Sequence, residues 1–303
     1  MPEPRWFPRL LIAALLFLVL ARPSSSQAAE QPAASPLSKT CATLCQALPG
    51  VQPSDCLNSG LAPAGTLSNA GFPLLIKEYP PLPKRTPRAR VLVLSGTHGD
   101  ETAGATTVFH WMRILDKHHS GLFHWKVVPL LNPDGLLKRP PTRTNGRGVD
   151  LNRNLPSPQW REIGVERWRT RAGQDPAQYP GPEPASEPET KWLVRLIQEF
   201  KPQAIITVHA PLGVVDYDGP GRAPWSIGRL KLHRLGNFPG TLGNYAGEHL
   251  KLPVVTIELP SDHRPPTAAE MSAMWSDLVR WLYSAVPASG PTHALDGPDR
   301  PAK

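Results

Sequence analysis

A chain of 303 residues with 40% hydrophobic composition is long enough to bury one large core, and a single catalytic domain is the expectation. Its formal charge of +8 is a mild positive balance, and nucleic acid is not indicated as a partner. The mildly basic balance reads equally well as a soluble surface or as attraction to an anionic polymer.

At the N-terminus, Arg5 and Arg9 precede an unbroken apolar run from Leu10 to Leu20, followed by a polar stretch that ends near Ala28. This is the pattern of a secretory signal, and the run is about half of the roughly 20 apolar residues a spanning helix needs. Export with cleavage after residues 1–28 is therefore expected, with no stable membrane insertion afterwards; the alternative is an uncleaved anchor. Removing Glu3, Arg5, Arg9 and Arg22 with that segment leaves a mature charge of about +6. Residues 29–71 contain Cys41, Cys45 and Cys56. In an oxidising compartment two of them should pair; the spacing leaves open which two, and one thiol is left over.

Residues 72–285 alternate short apolar runs with amphipathic stretches, the signature of an α/β domain. Strands are expected over Leu74–Tyr79, Arg90–Leu94, Trp125–Leu131, Gln203–His209 and Val254–Glu258, with helices over Thr102–Leu115 and Glu187–Phe200. Ser186 and Glu189 stand in capping-box spacing, as do Thr267 and Glu270 ahead of a closing helix. On that helix Met271, Met274, Trp275, Leu278 and Trp281 fall on one apolar face and belong to the core. The connection from Leu155 to Ala185 is long and rich in proline, so it is either an insertion that shapes a site or a disordered segment. The tail, residues 286–303, reads as disordered.

Chemistry concentrates at strand ends. Immediately after the strand at Val91–Leu94 comes Ser95-Gly96-Thr97-His98-Gly99-Asp100-Glu101, which sets a histidine and a glutamate three residues apart. A hydrolytic zinc takes three protein ligands and keeps one position open for water, and two histidines with one glutamate are a standard set. His98 and Glu101 supply two. His209 closes the apolar run Ala204–Val208 and is the candidate third, because α/β folds place their sites at strand ends along one edge of the sheet. Glu258 ends the apolar strand Pro253–Ile257, where a carboxylate without purpose or partner is costly.

Several further segments together with these resemble the zinc carboxypeptidases, and within them most closely the murein peptide amidase branch. The matching segments are Gly96–Glu101, Asn132-Pro133-Asp134-Gly135, Arg143–Asn154, Ser186–Thr190, His209, Pro239–Tyr245 and Thr256–Leu259, in order over about residues 72–285. The resemblance implies an α/β fold: a mixed, mainly parallel twisted sheet with helices on both faces, carrying one zinc ion per chain at the strand ends. It implies that Glu258 is the general base, that Arg143 stabilises the oxyanion, and that Asn152 and Arg153 hold a substrate carboxylate. Asp150 would accept the ring N–H of His98 and fix its tautomer. Arg147 is taken as a surface charge.

The resemblance also implies a peptidoglycan peptide as substrate, cut between γ-D-glutamate and diaminopimelate, and export then points to the periplasm or cell envelope. Where carboxypeptidases of the family carry a mobile tyrosine, this chain reads Leu235-Gly236-Asn237-Phe238-Pro239, which puts ordinary C-terminal trimming in doubt. Asn244 falls where a pocket determinant would be expected. Three other readings remain open: a deacylase of small N-acyl amino acids, a metallocarboxypeptidase releasing a C-terminal residue, and a non-catalytic wall-peptide binder. The last sits poorly with the presence of all three candidate ligands and the base.

Overall fold

The computed structural model describes residues 1–3 and 36–287. The chain divides into a unit Met1–Ala34 and a unit Ser35–Lys303, and the fold is that of the second. The expected secretory segment at residues 1–28, apart from its first three, lies outside the described residues, as does the tail beyond residue 287.

Along the chain run α1 (Pro36–Gln46), α2 (Pro53–Leu57), β1 (Ala62–Leu67), β2 (Pro73–Tyr79), β3 (Ala89–Ser95), α3 (Thr102–His118), β4 (Phe123–Val128) and α4 (Pro133–Leu137). They are followed by α5 (Glu166–Thr170), α6 (Pro188–Phe200), β5 (Ala204–His209), β6 (Val214–Asp218), the two-residue strands β7 (Ser226–Ile227) and β8 (Leu230–Lys231), β9 (Val254–Glu258) and α7 (Ala268–Ala285). Seven strands form one sheet in the order β1-β2-β4-β3-β5-β9-β6. The central four, β4, β3, β5 and β9, are mutually parallel, while β1, β2 and β6 add to the flanks antiparallel. Parallel neighbours end on the same side, so β3, β5 and β9 deliver their C-terminal residues to one edge.

Alternation along β3 shows how both faces are buried. Val91 and Val93 join the cluster built with Trp111 of α3 and Trp275 and Leu278 of α7, whereas Leu92 and Leu94 join Trp192, Leu193 and Leu196 of α6 on the other face. Trp275 stacks at 5.6 Å on Trp111 and at 5.0 Å on Trp125, so the expected apolar face of the closing helix is core. Burying side chains of this size stabilises the fold by about 1.5–3 kcal/mol each. Among the described residues no helix is long and apolar enough to cross a membrane.

Four local features differ from the sequence reading or complete it. The Thr267–Glu270 capping box forms, but the expected box at Ser186–Glu189 does not. Glu187 is the N-cap of α6, Pro188 follows it, and the Glu189 carboxylate instead accepts from Asn69 and Asn145. The cysteine-containing segment is packed into the same unit, with Cys41 bonded to Cys56 across α1 and α2 and Cys45 left as a buried thiol. The sheet begins before residue 72, because β1 pairs with β2. The connection from Leu155 to Ala185 is ordered: a π-helical turn at Trp160–Val165, α5 and a short 3-10 turn are tied down by the Trp160 and Trp168 indoles, which donate to the carbonyls of Arg153 and Asp175.

Candidate active site

Strand register fixes the frame of the site. Ser95 at the end of β3 lies opposite Val208 of β5, and His209 at the end of β5 lies opposite Glu258 at the end of β9. The chain leaving β3 turns sharply at Gly96, whose φ is +60° and where a Cβ would run into Leu130. Glycine is the residue that adopts such a turn without steric cost. The turn carries His98 back over the sheet edge and brings Glu101 to the head of α3 as its N-cap.

His98, Glu101 and His209 come together although 111 residues separate the two histidines. Nδ1 of His98 is 2.7 Å from one Glu101 oxygen, Nδ1 of His209 is 2.9 Å from the other, and the two ring nitrogens are 3.2 Å apart. All three side chains are buried, and they form a set able to hold a metal ion. Tetrahedral zinc with bonds of about 2.0–2.1 Å spaces its ligands by roughly 3.3 Å, so the three edges fit one ion with little movement.

The opposite edge of His98 sets the direction of its lone pair. Its Nε2–H donates to Asp150 Oδ1 at 3.1 Å, which leaves the lone pair on Nδ1. Asp150 is fully buried. Burial opposes its ionisation, but Arg143, Arg153 and His98 outweigh that cost and hold its carboxyl well below the usual carboxylate range. Glu101 behaves alike: burial would raise it, and the two histidines pull it below its ordinary value.

Arg143, Asn152 and Arg153 enter from the loop between α4 and α5. The Arg143 guanidinium donates to Asp150 Oδ2 at 2.9 Å and lies 3.6 Å from Glu101, against the ligand cluster. The Asn152 carbonyl oxygen of the side chain accepts from the Leu242 backbone at 2.8 Å, and Arg153 lies 4.0 Å from Asp150. Glu258 has the opposite character. Its Oε2 is buried without a hydrogen-bond partner, and burial pushes its carboxyl up. A cavity of about 410 Å³ is lined by His98, Glu101, His209, Glu258, Arg143, Asn152 and Arg153 together, with Asp150 behind them. Arg147 sits outside it, half-exposed and 3.9 Å from Glu187.

Chemically, the cavity joins a ligand set for one divalent cation, an unpaired carboxylate able to take a proton, and two guanidinium groups. Four side chains here were given no role by the sequence alone. Phe238 lies between two cations, with Arg153 at 4.7 Å and Arg167 at 4.2 Å from its ring centre, and so braces Arg153. Arg167 belongs to α5, which gives the ordered insertion a role in shaping the site. Asp216 and Asp218 of β6 also line the cavity, and their spacing of two in a strand was the signal available for them. Asn244 is not on its wall; its amide is turned to the Asn237 side chain at 3.0 Å.

The family model for zinc carboxypeptidases matches residues 68–218. Murein peptide amidase A of Escherichia coli K12 is 31% identical over 237 residues, covering 73% of this chain and 92% of that protein. The protein of the same name from Vibrio campbellii is 33% identical over 179 residues, covering 57% of this chain and 70% of its own length. Among solved structures, murein-tripeptide amidase from Escherichia coli O157 superposes with a TM-score of 0.55 at 30% identity, over 73% of this chain and 92% of that one. Carboxypeptidase A from Helicoverpa armigera shares the fold, with a TM-score of 0.57 at 18% identity over 72% of this chain and 66% of its own.

Proposed function

The chain belongs to the zinc carboxypeptidase family, and from that premise we propose that it is an exported amidase cutting the bond between γ-D-glutamate and diaminopimelate in peptidoglycan peptides. At the coarser level it is a murein peptide amidase-like hydrolase of the zinc carboxypeptidase fold, with zinc as its metal.

The observation that carries the reading is the shared cavity, in which an unpartnered Glu258 oxygen stands beside a convergent ligand set and two arginines. His98, Glu101 and His209 would hold the zinc, which would supply Lewis acidity to a water molecule and to the amide carbonyl. Glu258 takes a proton from the attacking water and returns it to the amine nitrogen as the C–N bond breaks. Its raised affinity for a proton, caused by burial, suits a group that must hold one between those two moments. Arg143 neutralises the charge that develops on the carbonyl oxygen, and its bond to Asp150 keeps it from turning away. Arg153, braced by Phe238 and flanked by Asn152, grips a carboxylate on the residue that leaves with the amine. Asp150 serves both arginines and His98 at once, so its loss would disturb the ligand and the anion grips together.

The substrate rests on the names of the relatives, murein peptide amidase and murein-tripeptide amidase, and on the loop Leu235–Pro239, which offers phenylalanine where the trimming enzymes carry tyrosine. Export is supported by Arg5 and Arg9 ahead of the Leu10–Leu20 run, and by the Cys41–Cys56 bond, since such bonds persist in oxidising compartments. Incubating the protein, with and without a chelator, with defined muropeptides and weighing the products tests the reading. Cleavage between γ-D-glutamate and diaminopimelate that the chelator stops is expected. Release of a terminal alanine would make it a carboxypeptidase, and turnover confined to N-acyl amino acids would make it a deacylase.

A further inference from the structure

The active-site cavity has a second charged wall of opposite sign. Asp216 and Asp218 alternate with Tyr217 along β6, so both carboxylates leave the same face of the strand, and both line the cavity. They are 5% and 7% exposed, and among the described residues neither forms an ion pair. Arg234 acts on Asp218 only from a distance, its guanidinium lying 6.0 Å from the centre of the Tyr217 ring.

Each carboxylate commits one oxygen to the protein. Oδ1 of Asp216 accepts from the backbone of Tyr217 at 2.8 Å and of Leu235 at 3.2 Å, and Oδ1 of Asp218 accepts from the Asn237 amide. Among the described residues the Oδ2 atoms receive no protein donor. Gly243 lies against Asp218 Oδ2, where any Cβ would overlap it, so the missing side chain is what leaves the carboxylate its place on the wall. Two nearly buried acids that pair with no cation among the described residues are unfavourable unless the cavity receives one beside them. Burial, with Asp216 adding its like charge, pushes the Asp218 carboxyl up to about 6, the behaviour of a site waiting for a positive group.

We propose that Asp216 and Asp218 form a subsite for an ammonium group on the side chain of the released residue, while Arg153 holds that residue's carboxylate. The proposal rests on the amidase reading above and deepens it: the leaving residue carries a carboxylate beside the scissile nitrogen and an ammonium several bonds away, as diaminopimelate and lysine do. Anchoring a side chain at both ends fixes its register relative to the reacting carbonyl.

The test compares γ-D-glutamyl amides of diaminopimelate, lysine, Nε-acetyl-lysine and norleucine on the wild-type enzyme and on Asp218→Asn and Asp216→Asn, with zinc content and thermal unfolding recorded for each. Wild-type kcat/KM should favour the two ammonium peptides by at least about tenfold, the scale of one charge-assisted hydrogen bond. In either variant the ratio should collapse toward one, through a higher KM for the ammonium peptides. If one variant does not fold, the other and the wild-type ratio still decide. Equal wild-type rates on charged and neutral peptides, or an undiminished preference in a folded variant, would overturn the subsite and leave the amidase standing. Failure of the wild type to cut any of the four would instead remove the amidase reading itself.

Discussion

Two clusters of buried carboxylates differ in how completely they are partnered. In the first, Glu187 and Glu189 share the Asn145 amide with Asp134 near Glu189, and every carboxylate oxygen has a donor: Ser68 and Ala70 for Asp134, Ser186 and Asn145 for Glu187, Asn69 and Asn145 for Glu189. In the second, at the ends of β3, β5 and β9, Glu258 keeps a buried oxygen without a donor and two histidine nitrogens face each other at 3.2 Å. Buried charge alone therefore does not mark the active site, because the fold holds as much of it for structure. What marks it is an unpartnered carboxylate oxygen beside a convergent ligand set in one cavity, since a buried carboxylate left unsatisfied is costly and persists where a ligand or a reaction supplies the rest.

Breaking the second cluster should abolish activity and spare the fold. Chelation is expected to stop turnover and to lower the melting temperature, because zinc stabilises the folded chain by about 4 kcal/mol when it stands a thousandfold above its dissociation constant. Glu258→Gln should lower kcat by about 10²–10⁴-fold with zinc content retained. Its melting temperature should equal or exceed that of the wild type, since a neutral amide replaces a carboxylate with an unpaired oxygen. A large drop in stability would mean that Glu258 is structural and that the two clusters do not differ as argued.

The first cluster should respond in the opposite sense. Asn145→Ala removes an amide that donates to both Glu187 and Glu189, at 2.8 and 3.3 Å, and strands their oxygens. At about 1–3 kcal/mol for each oxygen left without a donor, thermal unfolding should shift down by roughly 2–4 °C per kcal/mol. Activity per folded molecule should fall far less than in Glu258→Gln.

Two arginines near buried acids sharpen the contrast further. Arg153 faces the cavity, whereas the Arg147 side chain is half-exposed and 3.9 Å from Glu187. Arg153→Ala should raise KM by about 10–100-fold, the worth of a hydrogen bond to a charged group. Arg147→Ala, acting at the surface, should change neither KM nor stability measurably.

How far the sequence carried follows from the same physics. His98, Glu101, His209 and Glu258 were legible because each follows a strongly apolar strand, where a titratable residue stands out. The unbroken apolar run Val91–Leu94 made the burial of β3 legible as well. Asp216 and Asp218 were not, since β6 is a five-residue edge strand between Gly213 and Gly219, with no long apolar run to set its two acids apart. β1 escaped for a related reason: Ala62–Leu67 contains Pro63 and Gly65 and is largely exposed. Local spacing misled at Ser186, because Glu189 is drawn away by Asn69, a partner 120 residues distant. Such long-range competition for a side chain leaves no trace in a window of four residues.

The capping box at Thr267 and Glu270 is fully partnered like the first cluster but exposed, which separates the effect of partnering from that of burial. Thr267 donates to Glu270 through both its backbone and its hydroxyl, at 3.0 and 2.8 Å, and accepts from the Glu270 backbone at 3.3 Å. Those bonds hold the Glu270 carboxyl below its ordinary value. A carboxyl whose folded value is depressed contributes stability above its unfolded value and loses it as pH falls through the folded one. Thr267→Ala should thus lower stability at neutral pH by about 1 kcal/mol, the usual worth of an N-cap, with no change in kcat or KM. The difference from wild type should narrow as the solution is acidified through the carboxylate range, because a protonated Glu270 no longer depends on donors from Thr267. If Thr267→Ala matched the loss seen for Asn145→Ala, complete partnering rather than burial would set the cost, since water can replace the lost donors at α7 and cannot reach Glu187 and Glu189.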